Sequence, residues 1–509
     1  MPRGRVLRGR ARRGRAAPAA AVRARVARRR RPAPCPRAVA PHGEATSVSA
    51  WRWLEERLEL GDTLGPLLRH PIPRALEGRI GWAYVLGASI LTAFAVQVVS
   101  GVALAMTYVP STESAYDSLR FITDAATLGR VVRGIHWFGA SAMVLLLLAH
   151  VTRVFLMGAY KYPREVNWLS GSLLFLATAL MAFTGQTLRW DQDAFWSLVV
   201  GAEQAARTPL VGDWLTRLIV AGDRVGGATL TRVYATHVFL VPAVIGLLAL
   251  LHVYLVVKRG ISEPPRVDEP VDRAYKARYE TLILHGVPYF PNAMWRDALA
   301  GSVLVAIVLV LAGVFGPPQL GKPPDPGIVV ADPRPDWFFI GYFTVLALMP
   351  PGAEAILIVG IPLLVVAFLF ALPFVRPFGQ RHPMRRPFAL AAAVFVIGGY
   401  AALSAAGAEA YWVPLRSDGA ALPAAVTAPL RDDARAGAAL FVDRSCWSCH
   451  LVEGSGGRRG PDLTHVAARL DHDALVARIA NGGPGMPGYA AALGSDDLGK
   501  IVAFLLTRR

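Results

Sequence analysis

Cysteine is nearly absent. The 509 residues contain three, so no disulfide framework holds this chain together. Cys35 sits in an N-terminal tail, and Cys446 and Cys449 form a single C-x-x-C. Charge is also sparse, at 18% Asp, Glu, Lys and Arg against 54% apolar residues, which excludes an ordinary soluble protein of this length. Acid is missing from residues 1–40, where 14 Arg account for most of the formal net charge of +18. That Ala/Arg/Pro tail has no apolar run, which excludes a signal peptide and a packed core. It also has little Ser for an organellar transit peptide. Its charge asks for nothing beyond non-specific phosphate attraction, so no specific nucleic-acid binding is expected. No Met follows Met1 until Met106. The native chain is therefore expected to begin near WRWLEERL from a non-ATG codon, and residues 1–45 are set aside as a disordered tail.

What is abundant is apolar sequence. Seven stretches approach or exceed the length that crosses a bilayer core: Gly81–Tyr108, Ile135–Val151, Leu169–Phe183, Val233–Val257, Ala298–Phe315, Ala355–Phe374 and Pro387–Ala406. Trp51–Leu68 reads as an amphipathic helix on the membrane surface. Basic loops lie around Lys161 and Arg164, from Lys258 to Arg278, and from Arg376 to Arg386. Each follows an even-numbered span, so the positive-inside rule puts all three, and the N-terminus, in the cytoplasm. After seven spans the chain emerges outside. The predicted fold is all-α: a polytopic helical bundle followed by a small all-α domain. Its divisions are a tail at 1–45, a four-helix part at 46–260, a three-helix part at 261–406, a linker at 407–430 and a terminal domain at 431–509. By apolar spans alone, a generic transporter would read the same way.

Four histidines argue against a transporter. His136 and His150 are 14 residues apart, and His237 and His252 are 15 apart, all within or at the ends of apolar helices. At 100° per residue both steps return to within ~60° of the starting face. Two such helices facing each other make two His–His pairs, separated by about 21 Å along the axis. Paired imidazoles are axial ligands for haem iron, and an ionisable residue in lipid is functional by default. A lone histidine would more simply be a packing residue; two helices repeating nearly one spacing are not. Gly87 and Gly101 on the first span, and Gly171 and Gly185 on the third, repeat the 14-residue step. Glycine lets a flat macrocycle approach the backbone, although small residues also serve ordinary helix packing. Arg133, Arg153 and Arg232 flank the histidines and are candidate partners for haem propionates; simple snorkelling is the alternative.

Cys446-Trp447-Ser448-Cys449-His450 is the c-type haem attachment signature. The two thiols form thioethers to the vinyl groups and His450 becomes the proximal ligand. A thioredoxin-like site would need a βαβ setting, and a zinc site a second ligand pair; the sequence offers neither. Met486, in a Gly/Pro-rich loop, is the expected distal ligand, with His465 as the alternative. The final helix is expected to cross the helix bearing CWSCH.

These residues resemble cytochrome b of the quinol:cytochrome c oxidoreductase superfamily over about Trp51 to Trp412. The likeness is carried by GIHWFGASAMVLLLLAHVTRVFLMGAYKYPRE, LTRVYATH and KRGIS. The 15-residue histidine step resembles the chloroplast-type branch, in which the three C-terminal helices form a separate subunit. PPDPGIVVADPRPDWFFIGYF is similar to that subunit's loop bearing Pro-Glu-Trp-Tyr, with Pro335, Asp336, Trp337 and Phe338 in its place. The resemblance implies that these four residues line a quinol-oxidation pocket, opposite the loop Arg189–Phe195, and that Asp336 accepts a quinol proton. It also implies two non-covalent b-haems and one covalent c-haem, a Rieske iron–sulfur partner and proton translocation. A homodimeric complex and a downstream cytochrome c or oxidase follow, in a bacterial cytoplasmic membrane with the terminal domain outside. Asp leans the quinone towards menaquinol. The chloroplast branch attaches a further haem to a Cys where this chain has Val85, so that haem is not expected to be covalent here. A two-haem anchor for another dehydrogenase is the rival function; such anchors lack the Pro-x-Trp-aromatic loop.

Overall fold

The computed structural model describes residues 65–509 apart from 223, 326–334, 350–352, 410–421, 445, 457–459, 484–485, 487 and 491–492. The Arg-rich tail, residues 51–64 of the surface helix and much of the linker lie outside the described residues, as does the first part of the Pro-Asp-Trp-Phe loop.

Among the described residues, seven helices are long and apolar enough to cross a membrane: Arg79–Ala105, Gly129–Leu156, Glu165–Thr187, Gly227–Arg259, Met294–Val314, Ile356–Val375 and Pro387–Ala408. They are called the first to seventh spans below. Each carries apolar side chains on its outer face, such as Val99, Leu247, Leu250 and Phe395. In water such a surface would aggregate; against lipid tails it is the favourable one. The protein is an integral, multi-pass membrane protein. A shorter apolar helix, Trp337–Leu348, lies between the fifth and sixth spans. Composition did not single it out because at 12 residues it covers only about 18 Å.

The first span packs on the second, and the third on the fourth. The fifth span lies against the second, where Gly134 meets Ala312 closely enough that an added Cβ would sit 3.0 Å from its methyl. A two-residue ladder, Pro71–Ile72 with Val287–Pro288, ties the segment before the first span to the segment before the fifth.

The three basic loops converge in one buried polar layer. Lys161 Nζ donates to the carbonyls of Arg376 and Phe378, each at 2.6 Å. Arg164 donates to the Gly260 carbonyl and to Tyr275 Oη, and Arg381 to Glu263 and Tyr275. Arg386 caps the end of the second span through the Phe155 and Leu156 carbonyls. Cations that read as a topology signal in the sequence are thus also the hydrogen-bonded joint between helices.

The terminal domain is built on two helices, Asp432–Asp443 and Ser495–Leu506, packed together. Gly437 permits their close crossing: a Cβ there would fall 1.8 Å from the Lys500 carbonyl oxygen. Phe441 and Phe504 meet across the crossing with centroids 5.4 Å apart and ring planes tilted by 58°. The CWSCH motif follows the first of these helices on a short 3-10 turn, Cys446–Ser448. The final helix therefore crosses the helix preceding the motif, not one bearing it. Leu422, Val426 and Leu430 are buried in the same core, so the end of the stretch read as linker is part of this domain.

Candidate haem and quinol sites

The four glycines and four histidines meet one to one. An added Cβ would lie 3.2 Å from His136 at Gly101, 3.6 Å from His150 at Gly87, 2.7 Å from His237 at Gly185 and 3.3 Å from His252 at Gly171. The close approach that the glycines permit is thus to an imidazole ring, and through the ring to whatever it binds. The 14-residue glycine step matches the 14-residue histidine step because neighbouring antiparallel helices share one rise per residue. The 15-residue step needs a further device. The fourth span contains a π turn, Thr236–Leu240, that includes His237. One extra residue is absorbed there, next to Pro242, which has no N–H to offer the Val238 carbonyl. Fifteen residues of the fourth span therefore match fourteen of the second.

Three hydroxyls set the imidazole tautomers. Ser100 Oγ donates to the Val96 carbonyl, so its one proton is committed and His136 Nδ1–H donates to it at 3.0 Å. By the same logic His252 donates to Ser170, which is bound to the Asn167 carbonyl, and His237 donates to Thr184, which is bound to the Leu180 carbonyl. Each of these rings keeps a lone pair on Nε2, the atom a metal ligand needs. The His136 and His237 rings lie with centroids 6.3 Å apart. At the ~2 Å of an imidazole–metal bond, two imidazoles sharing one metal ion have centroids roughly 6 Å apart, so this pair leaves room for a haem iron that both rings would hold. His150 differs. Residue 86 is Leu where the other glycines follow a hydroxyl, and His150 Nδ1 is buried without a hydrogen-bond partner. The hydroxyl–Gly dipeptides were readable in the sequence and went unread.

The flanking arginines take different roles. Arg133 is buried and donates to Thr123 Oγ1 at 2.9 Å. Arg153 lies 4.0 Å over the Tyr84 ring and donates to the Ala83 carbonyl. Arg232 is exposed and turns to the carbonyls of Arg217 and Leu218.

At the end of the bundle that holds His136 and His237, the Pro-Asp-Trp-Phe loop docks on the third span. The Asp336 N–H donates to Gln186 Oε1 at 2.9 Å, and Gln186 is the neighbour of Gly185. Trp337 Nε1 donates to Ser141 Oγ on the second span at 3.2 Å. Pro335 is buried, and Phe338 is half-buried, with its carbonyl accepting from Tyr400 Oη. Arg189 Nη1 stands 3.4 Å from Asp336 Oδ1. Burial pushes the Asp336 carboxyl above its ordinary range; Arg189 opposes that shift and the Asp191 carboxylate adds to it. Gln186 carried no signal in the sequence that would have singled it out, and Arg189 entered only as the first residue of the loop expected to face the pocket.

In the terminal domain Cys446, Trp447, Cys449 and Met486 all pack on one hydrophobic core. His450 is buried, with Nδ1 donating to the Pro461 carbonyl at 2.9 Å, which again leaves the lone pair on Nε2 free for a ligand. Its ring lies against Gly460, where a Cβ would come within 2.4 Å, and burial holds its pKa below the usual histidine range. Met486 is paired with Gly483 by a β-bridge. His465 is exposed, with Nδ1 hydrogen-bonded to the carboxylate oxygen of Arg509.

Comparison with known proteins agrees with this geometry. Residues 73–260 match the family model Cytochrome b/b6/petB, and residues 432–505 match that of Cytochrome C oxidase, cbb3-type, subunit III. The chain is 34% identical over 220 residues to cytochrome b6 of Prochlorococcus marinus (strain MIT 9215) and equally to that of Synechococcus sp. (strain WH7803), covering 43% of this chain and 99% of each relative. A solved structure titled Hyperthermophilic respiratory Complex III aligns with a TM-score of 0.59 at 25% identity, over 70% of this chain and 91% of the other. With both histidine pairs inside the matched segment and the C-x-x-C-H inside the second, the chain belongs to the cytochrome b family of bc/b6f-type complexes and carries a fused cytochrome c domain.

Proposed function

We propose that this chain oxidises membrane quinol at the pocket beside Asp336, as the cytochrome b subunit of a proton-translocating quinol:cytochrome c oxidoreductase. His136 with His237, and His150 with His252, would each hold a b-haem; Cys446, Cys449, His450 and Met486 would hold the c-haem. Bound there, the haems supply one-electron carriers leading across the membrane and outward.

The residues of the chain do the rest. Ser100, Ser170 and Thr184 hold neutral imidazoles with Nε2 free. Oxidation of a quinol releases two electrons and two protons, and a proton leaves its hydroxyl only towards a base within reach. Asp336 is that base, its carboxyl raised by burial towards the pH at which it can both take and release a proton. The observation that carries this reading is the docking of Asp336 on Gln186, one residue from the glycine that faces His237. The chain has no spare cysteine set for an iron–sulfur cluster, so a Rieske protein accepts one electron as a partner. The convergent basic loops support an orientation in which they face the cytoplasm of a bacterial cell, with quinol oxidation and the fused domain outside. The complex works as a dimer and passes electrons to a further cytochrome c or an oxidase.

Asp336→Asn should slow quinol oxidation about tenfold to a hundredfold, the scale of a lost general base, with both b-haems kept. Asp336→Glu should retain most activity. The measurement is quinol-dependent reduction of the fused haem in purified complex with its Rieske partner. A wild-type rate in Asp336→Asn with normal haem content would remove Asp336 from the mechanism.

A further inference from the structure

Asp336 does not stand alone at the pocket. The segment leaving the third span presents Arg189, Trp190 and Asp191 to it. Trp190 is buried and held at φ 46°, a left-handed conformation that costs a bulky residue energy and is kept only where the surroundings enforce it. This turn sets Arg189 between two carboxylates, 3.5 Å from Asp191 Oδ2 and 3.4 Å from Asp336 Oδ1. The two acids differ in commitment. Asp191 is buried; its Oδ1 accepts from the Ala194 N–H, capping the helix Gln192–Ala206, and its Oδ2 accepts from the Gly321 N–H. Asp336 accepts from no side chain but Arg189 among the described hydrogen bonds, and its own N–H is fixed by Gln186. Asp191, held in place by those two backbone N–H groups, stands as a fixed counter-charge beside Arg189 Nε without hydrogen-bonding to it, and Asp336 is the acid free to change its protonation.

We propose that Arg189 is a positioning residue for quinol oxidation: set beside the fixed charge of Asp191, it holds the Asp336 carboxylate ionised and aimed until that carboxylate takes the quinol proton. This rests on the reading of Asp336 as the proton acceptor. In the step itself the quinol O–H bond breaks, its electron pair stays on the quinol oxygen and the proton goes to an Asp336 carboxylate oxygen. The electron leaves to the iron–sulfur centre of the partner. Protonation cancels the charge that Arg189 was holding, so the neutral carboxyl is released from the guanidinium and can pass its proton outward. Among the described residues, the charged groups acting on Asp336 are Arg189 and Asp191. Arg133 on the second span interacts with both of those in turn. The other groups packed around the loop, Ser141, Gln186 and Tyr400, are uncharged near neutral pH.

The test uses the purified complex with its iron–sulfur partner and a decyl-substituted benzoquinol as substrate, over a range of pH. The wild-type rate should rise along an acid limb set by ionisation of Asp336. Arg189→Gln removes the cation, so the Asp336 pKa rises and the limb should move to higher pH by about one unit. At the acid end kcat should fall roughly tenfold, in proportion to the lost ionised fraction, with KM changing little. Arg189→Lys should restore most of the limb's position. A second readout needs no turnover: the infrared band of the protonated carboxyl, assigned by its loss in Asp336→Asn, should titrate at higher pH in Arg189→Gln. If the limb and the band stay in place in Arg189→Gln while Asp336→Asn abolishes both, the role of Arg189 is overturned and Asp336 stands. If Asp336→Asn keeps the limb, the reading of Asp336 itself has failed, and Arg189 with it. Should Arg189→Gln not assemble with full b-haem, Arg189→Met takes its place. If only Arg189→Lys assembles, Arg189 is a structural cation and the positioning role is overturned.

Discussion

The membrane bundle and the terminal domain both carry haem-ligand chemistry, yet they encode it in opposite ways. In the terminal domain two thiols and the proximal histidine lie within the five residues Cys446–His450, so local chain geometry alone brings them together. In the bundle each proposed pair joins histidines on different helices and far apart in sequence, His136 with His237 and His150 with His252. A site of the second kind exists only if four helices keep register. The fold maintains that register through glycines that admit the rings, hydroxyls that orient them and one π turn that absorbs the extra residue of the fourth span. A contiguous site is thus robust to its scaffold and fragile to its own residues, whereas a distributed site depends on residues that never touch the ligand.

The largest effect should come from breaking each site at its ligands. Cys446→Ala with Cys449→Ala should abolish covalent haem and leave the b-haem content intact. His136→Leu or His252→Leu should each remove one b-haem and leave haem c. A pyridine haemochrome assay on the purified protein reads all three, starting from a wild-type b:c ratio near two. A b:c ratio of one in the wild type would contradict two histidine pairs or the absence of a further covalent haem at Val85.

The glycines sharpen the contrast. Glycine-to-alanine changes should lower b-haem retention in the order of the contact each new Cβ makes. Gly185 at 2.7 Å should be worst, Gly101 and Gly171 at 3.2 and 3.3 Å intermediate, and Gly87 at 3.6 Å mildest. Overpacking of this kind costs about 1–3 kcal/mol, roughly tenfold in haem retention at the tight end. Competitive haem loss to an apoprotein acceptor would rank them, and equal loss at all four would show that the rings have room to move.

Gly437→Ala asks the same question of the terminal domain, where the close contact is between two helices and not at the haem. The new Cβ would overlap the Lys500 carbonyl, costing about 1–3 kcal/mol. Thermal unfolding of the haem c signal in the full complex should shift down by several degrees, on the order of 4–8 °C per kcal/mol for a domain of this size, while haem c stays attached. Loss of covalent haem in this variant would mean that the contiguous motif depends on its scaffold after all.

The smallest effect concerns hydroxyls that touch only the ligands. Thr184→Val removes the acceptor for His237 Nδ1–H, which weakens the imidazole as an electron donor and stabilises reduced iron. Losing a bond of about 1 kcal/mol corresponds to a rise on the order of 40 mV for one electron. Leu86→Ser should do the reverse by giving His150 Nδ1 the partner it lacks. Redox titration of the b-haems checks both signs, and an unchanged potential in both variants would assign these hydroxyls to helix packing.

The sequence by itself determined the membrane class, the number of spans, the four histidines with their matching glycines, and the C-x-x-C-H with its methionine. All of these follow from periodicity and spacing along single helices or one short loop, which the chain carries locally. Only the tertiary structure decided that the glycines admit imidazole rings, that Ser100, Ser170 and Thr184 fix the tautomers, and that a π turn reconciles steps of fourteen and fifteen residues. It alone joined the three basic loops into one layer. It alone brought Gln186, near the end of the third span, to an aspartate some 150 residues later, and gave Arg189, in the loop already expected to face the pocket, its contact with that carboxylate. The physical reason is common to all of these: they are contacts between elements remote in sequence, set by how helices pack, and no local pattern records which neighbour a side chain will meet.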